Sequence, residues 1–125
     1  MKNTPTPDPT DCIAMKQLPE GALTEIAAYF QVLAEPTRLQ ILNILRTGER
    51  NVGELAQMCG FTAANVSRHL ALMTQQGLVE RESRGTSAYY EIGDGRTYQL
   101  CDLVCGHIAD RLLAQVQGMT GGARP

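Results

Sequence analysis

Apolar residues recur at helical spacing along most of the chain and give way to strand-like alternation only once. From about Pro19 to Ala34, "PEGALTEIAAYFQVLA", they fall at Leu23, Ile26, Ala27, Phe30 and Leu33, which predicts a helix with one apolar stripe. Pro36 suits the first turn of a second helix, where a missing N–H costs nothing. "TRLQILNILR" carries that helix on until Gly48 stops it. A short third helix is expected over Val52 to Cys59, closed by Gly60. A fourth starts at Thr62 as N-cap and ends at Gly77, with Val66, Leu70 and Met73 on its buried face. The pattern then changes: Leu78 to Ser83 and Thr86 to Ile92 are short β-prone runs around Arg84-Gly85, which reads as a hairpin. Helical spacing returns from about Arg96 to Val116. The fold class expected is mainly α with one β-hairpin.

Residues 1–11 are polar and contain three prolines. Residues 1–18 are therefore expected to form a flexible arm carrying Cys12, residues 19–117 a single domain, and residues 118–125 a short tail. With 43% hydrophobic residues and no Trp, the core must be aliphatic. No apolar run approaches the roughly 18 residues a membrane span needs, and the first residues lack the apolar block of a secretion signal. A cytoplasmic protein is expected, with Cys12, Cys59, Cys101 and Cys105 reduced. A net charge of −2 counts against a nucleic-acid partner unless the basic groups share one surface. They cluster here, as Arg68, Arg81 and Arg84 with His69, in the middle of the chain.

That segment has the layout of a helix-turn-helix: a short helix, the tight link "CGFT", and a longer helix opening on small polar residues. A helix entering the major groove must present short or hydrogen-bonding side chains at its N-terminal end. Thr62, Ala63, Asn65, Ser67 and Arg68 supply them, and Arg68 can make a two-pronged contact to guanine. The hairpin would be a wing placing Arg81 and Arg84 beside backbone phosphates. The competing reading is a helical bundle with solvated Asn65 and Ser67. No nucleophile–base set, phosphate loop or metal-protease spacing points to an enzyme.

"LAEPTRLQILNILRTGERNVGELA" followed by "VSRHLALMTQQGLVERESRGTSAYYEI" resembles the ArsR/SmtB family of bacterial metal-responsive repressors, over about Val32 to Leu113. The resemblance implies a winged-helix homodimer joined through its first and last helices. It also implies binding to palindromic operator DNA, with release on binding an inducer.

The family's helix-3 thiolate motif, Cys-Val-Cys, is replaced here by Asn51-Val52-Gly53. Its last-helix zinc site would fall on Asp94, Arg96, His107 and Asp110, where Arg96 is a permanent cation in place of an imidazole. There remain Cys101 and Cys105, four apart on the last helix. Their Cβ atoms should lie about 5–6 Å apart, too far for a disulfide, which wants about 3.8 Å, but suited to two thiolates on one soft ion. The family-typical inducer for such thiols is trivalent arsenic or antimony, which wants three sulfurs. Cys12 is the third candidate, because the resemblance packs the first helix against the last. Three alternatives stay open: another soft metal ion, a thiol-oxidation or persulfide switch, and a plain apolar stripe of Cys101, Cys105, Ile108, Leu112 and Val116. Cys59 reads as buried and structural.

Overall fold

In the computed structural model, which describes residues 17–121, the chain runs through α1 (Ala22–Leu33), α2 (Pro36–Leu45), β1 (Arg50–Asn51), α3 (Val52–Cys59), α4 (Ala63–Gln75), β2 (Val79–Arg84), β3 (Ser87–Ile92) and α5 (Arg96–Gly121). The strands form one antiparallel sheet in the order β1-β3-β2. Arg50 stands opposite Tyr90, and the hairpin register runs from Val79 opposite Ile92 to Arg84 opposite Ser87.

Local sequence explains where three of the helices start. The Glu35 carboxylate accepts from the amides of Thr37 at 2.7 Å and Arg38 at 3.2 Å, with Pro36 in the first turn. Asn51 and Glu54 form a reciprocal capping box on α3, at 2.8 and 2.9 Å. The Thr62 hydroxyl accepts from the Asn65 amide at 3.1 Å and caps α4. Each such cap contributes about 1 kcal/mol. Between α3 and α4, Gly60 takes φ 76°, a left-handed conformation that favours glycine. The Gly60 and Phe61 amides both close on the Ala56 carbonyl, which sets the sharp turn between the two helices.

The core lies where α2, α3, α4 and the sheet converge. Ile41, Leu42, Leu55, Val66, Leu70, Met73, Leu78 and Val79 are all fully buried there. Val66, Leu70 and Met73 are the inward face the periodicity predicted for α4. Complete burial of each such side chain is worth about 1.5–3 kcal/mol. The sheet is docked by backbone: a Cβ on Gly93 would lie 2.5 Å from the Gly77 carbonyl, so only glycine lets the end of β3 meet the turn after α4.

Several expectations are corrected. Strand β2 reaches Arg84, so the hairpin turns at Gly85-Thr86 rather than Arg84-Gly85. The short strand β1 was not foreseen, because two residues carry no periodicity. Helix α1 starts at Ala22, after Gly21 in the left-handed region, and α5 continues to Gly121, beyond the point where a tail was expected. Cys59 is half-buried rather than buried. Apart from these corrections, the apolar stripes of α1 and α5 face outward for much of their length, as helices expected to join two subunits should. Leu23 and Phe30 are exposed on α1, as are Leu103, Ile108, Leu112, Leu113 and Val116 on α5. Helix α5 meets the core only through its first turns, where Thr97 is buried and its hydroxyl shares a 2.8 Å hydrogen bond with that of Tyr29. Tyr98, Leu100 and Cys101 pack beside it.

Candidate nucleic-acid interface and thiol groove

Burying Val66, Leu70 and Met73 turns the opposite side of α4 to solvent. Ala63, Ser67 and Arg68 are exposed there and Asn65 is partly so. The Arg68 guanidinium donates to the Asn65 side-chain carbonyl at 2.8 Å, which aligns two predicted base-reading groups one turn apart. Thr62 is exposed, but its hydroxyl is engaged as the helix cap.

His69 is half-buried, and its Nδ1 accepts from Arg38 Nε at 3.1 Å. The same Arg38 donates to the Val32 carbonyl at the end of α1, at 3.1 Å. Burial holds the imidazole below its ordinary pKa against the opposing pull of Glu35, which keeps Nδ1 an acceptor. His69 is thus tied to α2 through one edge of its ring. Arg38 was not singled out from sequence, because its partner lies 31 residues away.

On the wing, Arg81 is exposed and donates to Ser83 Oγ at 3.0 Å. Arg84 is engaged differently. Its guanidinium donates to both Glu49 carboxylate oxygens at 2.6 and 2.8 Å and to Glu82 at 2.7 Å, and lies 4.6 Å from the centre of the Tyr89 ring. Of the two wing arginines predicted at phosphates, one is already held by acids.

The cysteines separate into two environments. Cys59 sits on α3 beside the core, where burial pushes its thiol up and makes it a weak nucleophile. Cys101 and Cys105 line an open groove of about 790 Å³ between α2 and the first turns of α5, with Phe30, Leu39, Leu42 and Tyr98. Cys101 is half-buried and Cys105 exposed. Burial raises the Cys101 thiol, while the Arg46 cation pulls it back towards ionisation. Arg46 bridges to Asp102 at 2.5 Å and lies 4.3 Å from the Tyr98 ring centre. Tyr98 donates its hydroxyl to the Leu42 carbonyl at 2.8 Å, which pins the start of α5 to α2.

Two sulfurs on one helix face beside a cation suit a soft, thiophilic ion. Among the described residues no cluster of three or more His, Cys, Asp or Glu could hold a metal ion. Cys12, the third thiol expected from sequence, lies outside the described residues. At the zinc position implied by resemblance, Arg96 clasps Asp94 through contacts of 2.7 and 3.2 Å and holds its carboxyl down at about 2. That carboxylate already has a cation.

A capped helix with a polar outward face, set behind a tight turn and followed by a basic hairpin, defines a winged helix-turn-helix protein built to read duplex DNA. The family model "Bacterial regulatory protein, arsR family" matches residues 35–81. The chain is 34% identical over 88 residues to a probable mercury resistance operon repressor of Streptomyces lividans, covering 70% of each chain. It is 36% identical over 90 residues to the transcriptional regulator NmtR of Mycobacterium tuberculosis, covering 72% of this chain and 75% of that one. Among solved structures it is similar to the homodimeric winged helix-turn-helix DNA-binding domain Mb0332 of Mycobacterium bovis. The TM-score is 0.67 at 33% identity, covering 81% of this chain and 95% of that one. The Mycobacterium tuberculosis protein Rv0081 matches with a TM-score of 0.70 at 28% identity, over 78% of this chain and 99% of that one. The chain belongs to the arsR family: it is a DNA-binding transcriptional repressor of the ArsR/SmtB type and not an enzyme. No helix among the described residues is long and apolar enough to cross a membrane.

Proposed function

We propose that the chain acts in the cytoplasm as a homodimeric repressor of a palindromic operator, released by a thiophilic metalloid, trivalent arsenic or antimony. Helix α4 enters the major groove. Ala63, Asn65, Ser67 and Arg68 face base edges, Thr62 and His69 lie at the groove margin, and Arg81 and Arg84 meet flanking phosphates. The outward apolar faces of α1 and α5 supply the dimer contact, in keeping with the homodimeric Mycobacterium bovis domain. The inducer is held by Cys101 and Cys105, with Cys12 as the third thiol.

The observation that carries the sensing proposal is the placement of both α5 thiols in one groove against α2, the helix whose Arg38 holds the recognition helix. Capturing an ion there together with Cys12 clamps α5 to the N-terminal segment and hence favours one dimer arrangement. If that arrangement misplaces the two recognition helices, operator affinity falls by the same factor as DNA weakens inducer binding, about 5–150-fold for ordinary couplings.

Electrophoretic mobility shifts with arsenite, antimonite and mercuric ions, on the wild type, Cys101→Ser and Cys105→Ser, test this. Loss of metalloid response in both variants, with operator binding intact, is the expected result. Release of DNA at the wild-type dose by both variants defeats the thiol site. A response to mercuric ions alone would move the inducer to another soft metal, as the mercury resistance relative suggests. A response to peroxide or persulfide alone would make the thiols a redox switch.

A further inference from the structure

Arg84 leaves β2 at the tip of the wing, where a DNA-contacting arginine would be expected to extend into solvent. Instead it folds back over Tyr89 to Glu49, which lies just ahead of β1 and 35 residues away in sequence. Five groups meet on this face of the sheet: the guanidinium, two oxygens of Glu49, one of Glu82 and the Tyr89 ring. The two-pronged contact to Glu49 has the fork geometry with which arginine grips a phosphate. A phosphate and Glu49 therefore compete for the same pair of N–H groups.

We infer that Glu49, assisted by Glu82, is an internal competitor of DNA for Arg84. This lowers the affinity of the wing for phosphate and keeps binding dependent on what α4 reads. The inference rests on the DNA-binding reading above and adds a residue that sets affinity without touching DNA. The chemistry is an exchange of partners. When the wing meets the duplex, Arg84 leaves the Glu49 carboxylate, which takes up water, and the released guanidinium takes a phosphate. On any duplex this exchange recovers only part of a normal phosphate contact. Base contacts from α4 must supply the rest, and random sequence does not offer them. The chain's net charge of −2 acts in the same direction, towards weak binding of non-operator DNA.

The test is a set of four full-length proteins: wild type, Glu49→Gln, Arg84→Ala and the double variant. Each is titrated with operator and random duplexes over a range of salt concentrations. Glu49→Gln should bind random duplex about 3–5-fold more tightly, the scale of an exposed ion pair. Its log K against log salt plot should steepen by up to about 0.9, one extra phosphate. Its affinity for operator should rise by a similar factor, because the exchange is the same on any duplex. Arg84→Ala should abolish the gain, so that the double variant matches Arg84→Ala alone. Glu80→Gln removes the same charge from an exposed position on β2 and should give a smaller gain.

If Glu49→Gln tightens binding equally with and without Arg84, the effect is general repulsion and the competitor idea is overturned. If Glu49→Gln weakens binding, Glu49 is an ordering contact for the wing and the idea is again overturned. A wild type that shifts no duplex at all would instead overturn the DNA-binding reading beneath it.

Discussion

Helices α4 and α5 are both amphipathic, yet they end in opposite states. On α4, Val66, Leu70 and Met73 are completely buried, and every apolar position that periodicity assigned to the inside is inside. On α5 the corresponding stripe begins half-buried at Cys101. It then runs into solvent through Cys105, Ile108, Leu112 and Val116, the last two 55% and 52% exposed. The DNA-reading half is completed within one chain. The α5 half displays a contiguous run of large apolar side chains of the kind that marks an interaction surface. The thiols of the proposed sensor lie at the boundary between the two, where any change in how α5 is covered reaches α2.

The largest effect is expected where the surface is unfinished. Leu112→Asp with Val116→Asp removes two side chains each worth about 1.5–3 kcal/mol when buried. The pair should convert the proposed dimer to monomer in sedimentation velocity while leaving the helical circular dichroism near native. If association survives, the α5 stripe is not the contact. In the finished half, Leu70→Ala should cost about 2–5 kcal/mol in denaturant unfolding through the cavity it leaves. A cost near zero would mean that α4 is not packed as described.

The smallest effect concerns the boundary. A soft ion binds the thiolate, and burial raises the Cys101 thiol, so the neutral form dominates at neutral pH. The rate of metalloid capture should therefore rise as pH increases from about 7 to 9, because the thiolate is the attacking species and the displaced hydroxides leave as water with the thiol protons. Arg46→Met removes the cation that favours the thiolate, so the rise should move to higher pH. The growth of thiolate-to-metal absorbance after mixing with the reduced protein reads this rate directly, and a pH-independent rate would place the ion away from Cys101.

How far the sequence could be read follows from how local each determinant is. The Asn51/Glu54 capping box, Pro36, Gly60 and the α4 apolar positions involve residues at most a few places apart. All were legible, or could have been, from spacing alone. The recognition face was legible for the same reason, since fixing what α4 buries fixes what it exposes. Spacing located the apolar stripes of α1 and α5 but not which way they face, because periodicity identifies a face and not its partner; only the family resemblance placed them at a subunit contact.

Sequence alone determined the order of the helices and the hairpin, the Thr62 cap, the inward face of α4 and the presence of two thiols one helical turn apart. Those depend on backbone geometry that repeats every few residues. Tertiary structure decided that His69 belongs partly to Arg38, that Arg84 is held by Glu49, and that Cys101 shares the α2–α5 groove with Arg46. Each of these joins side chains 31 to 55 positions apart, and only the folded core, by setting distances between elements, brings such charges within hydrogen-bond or Coulomb range.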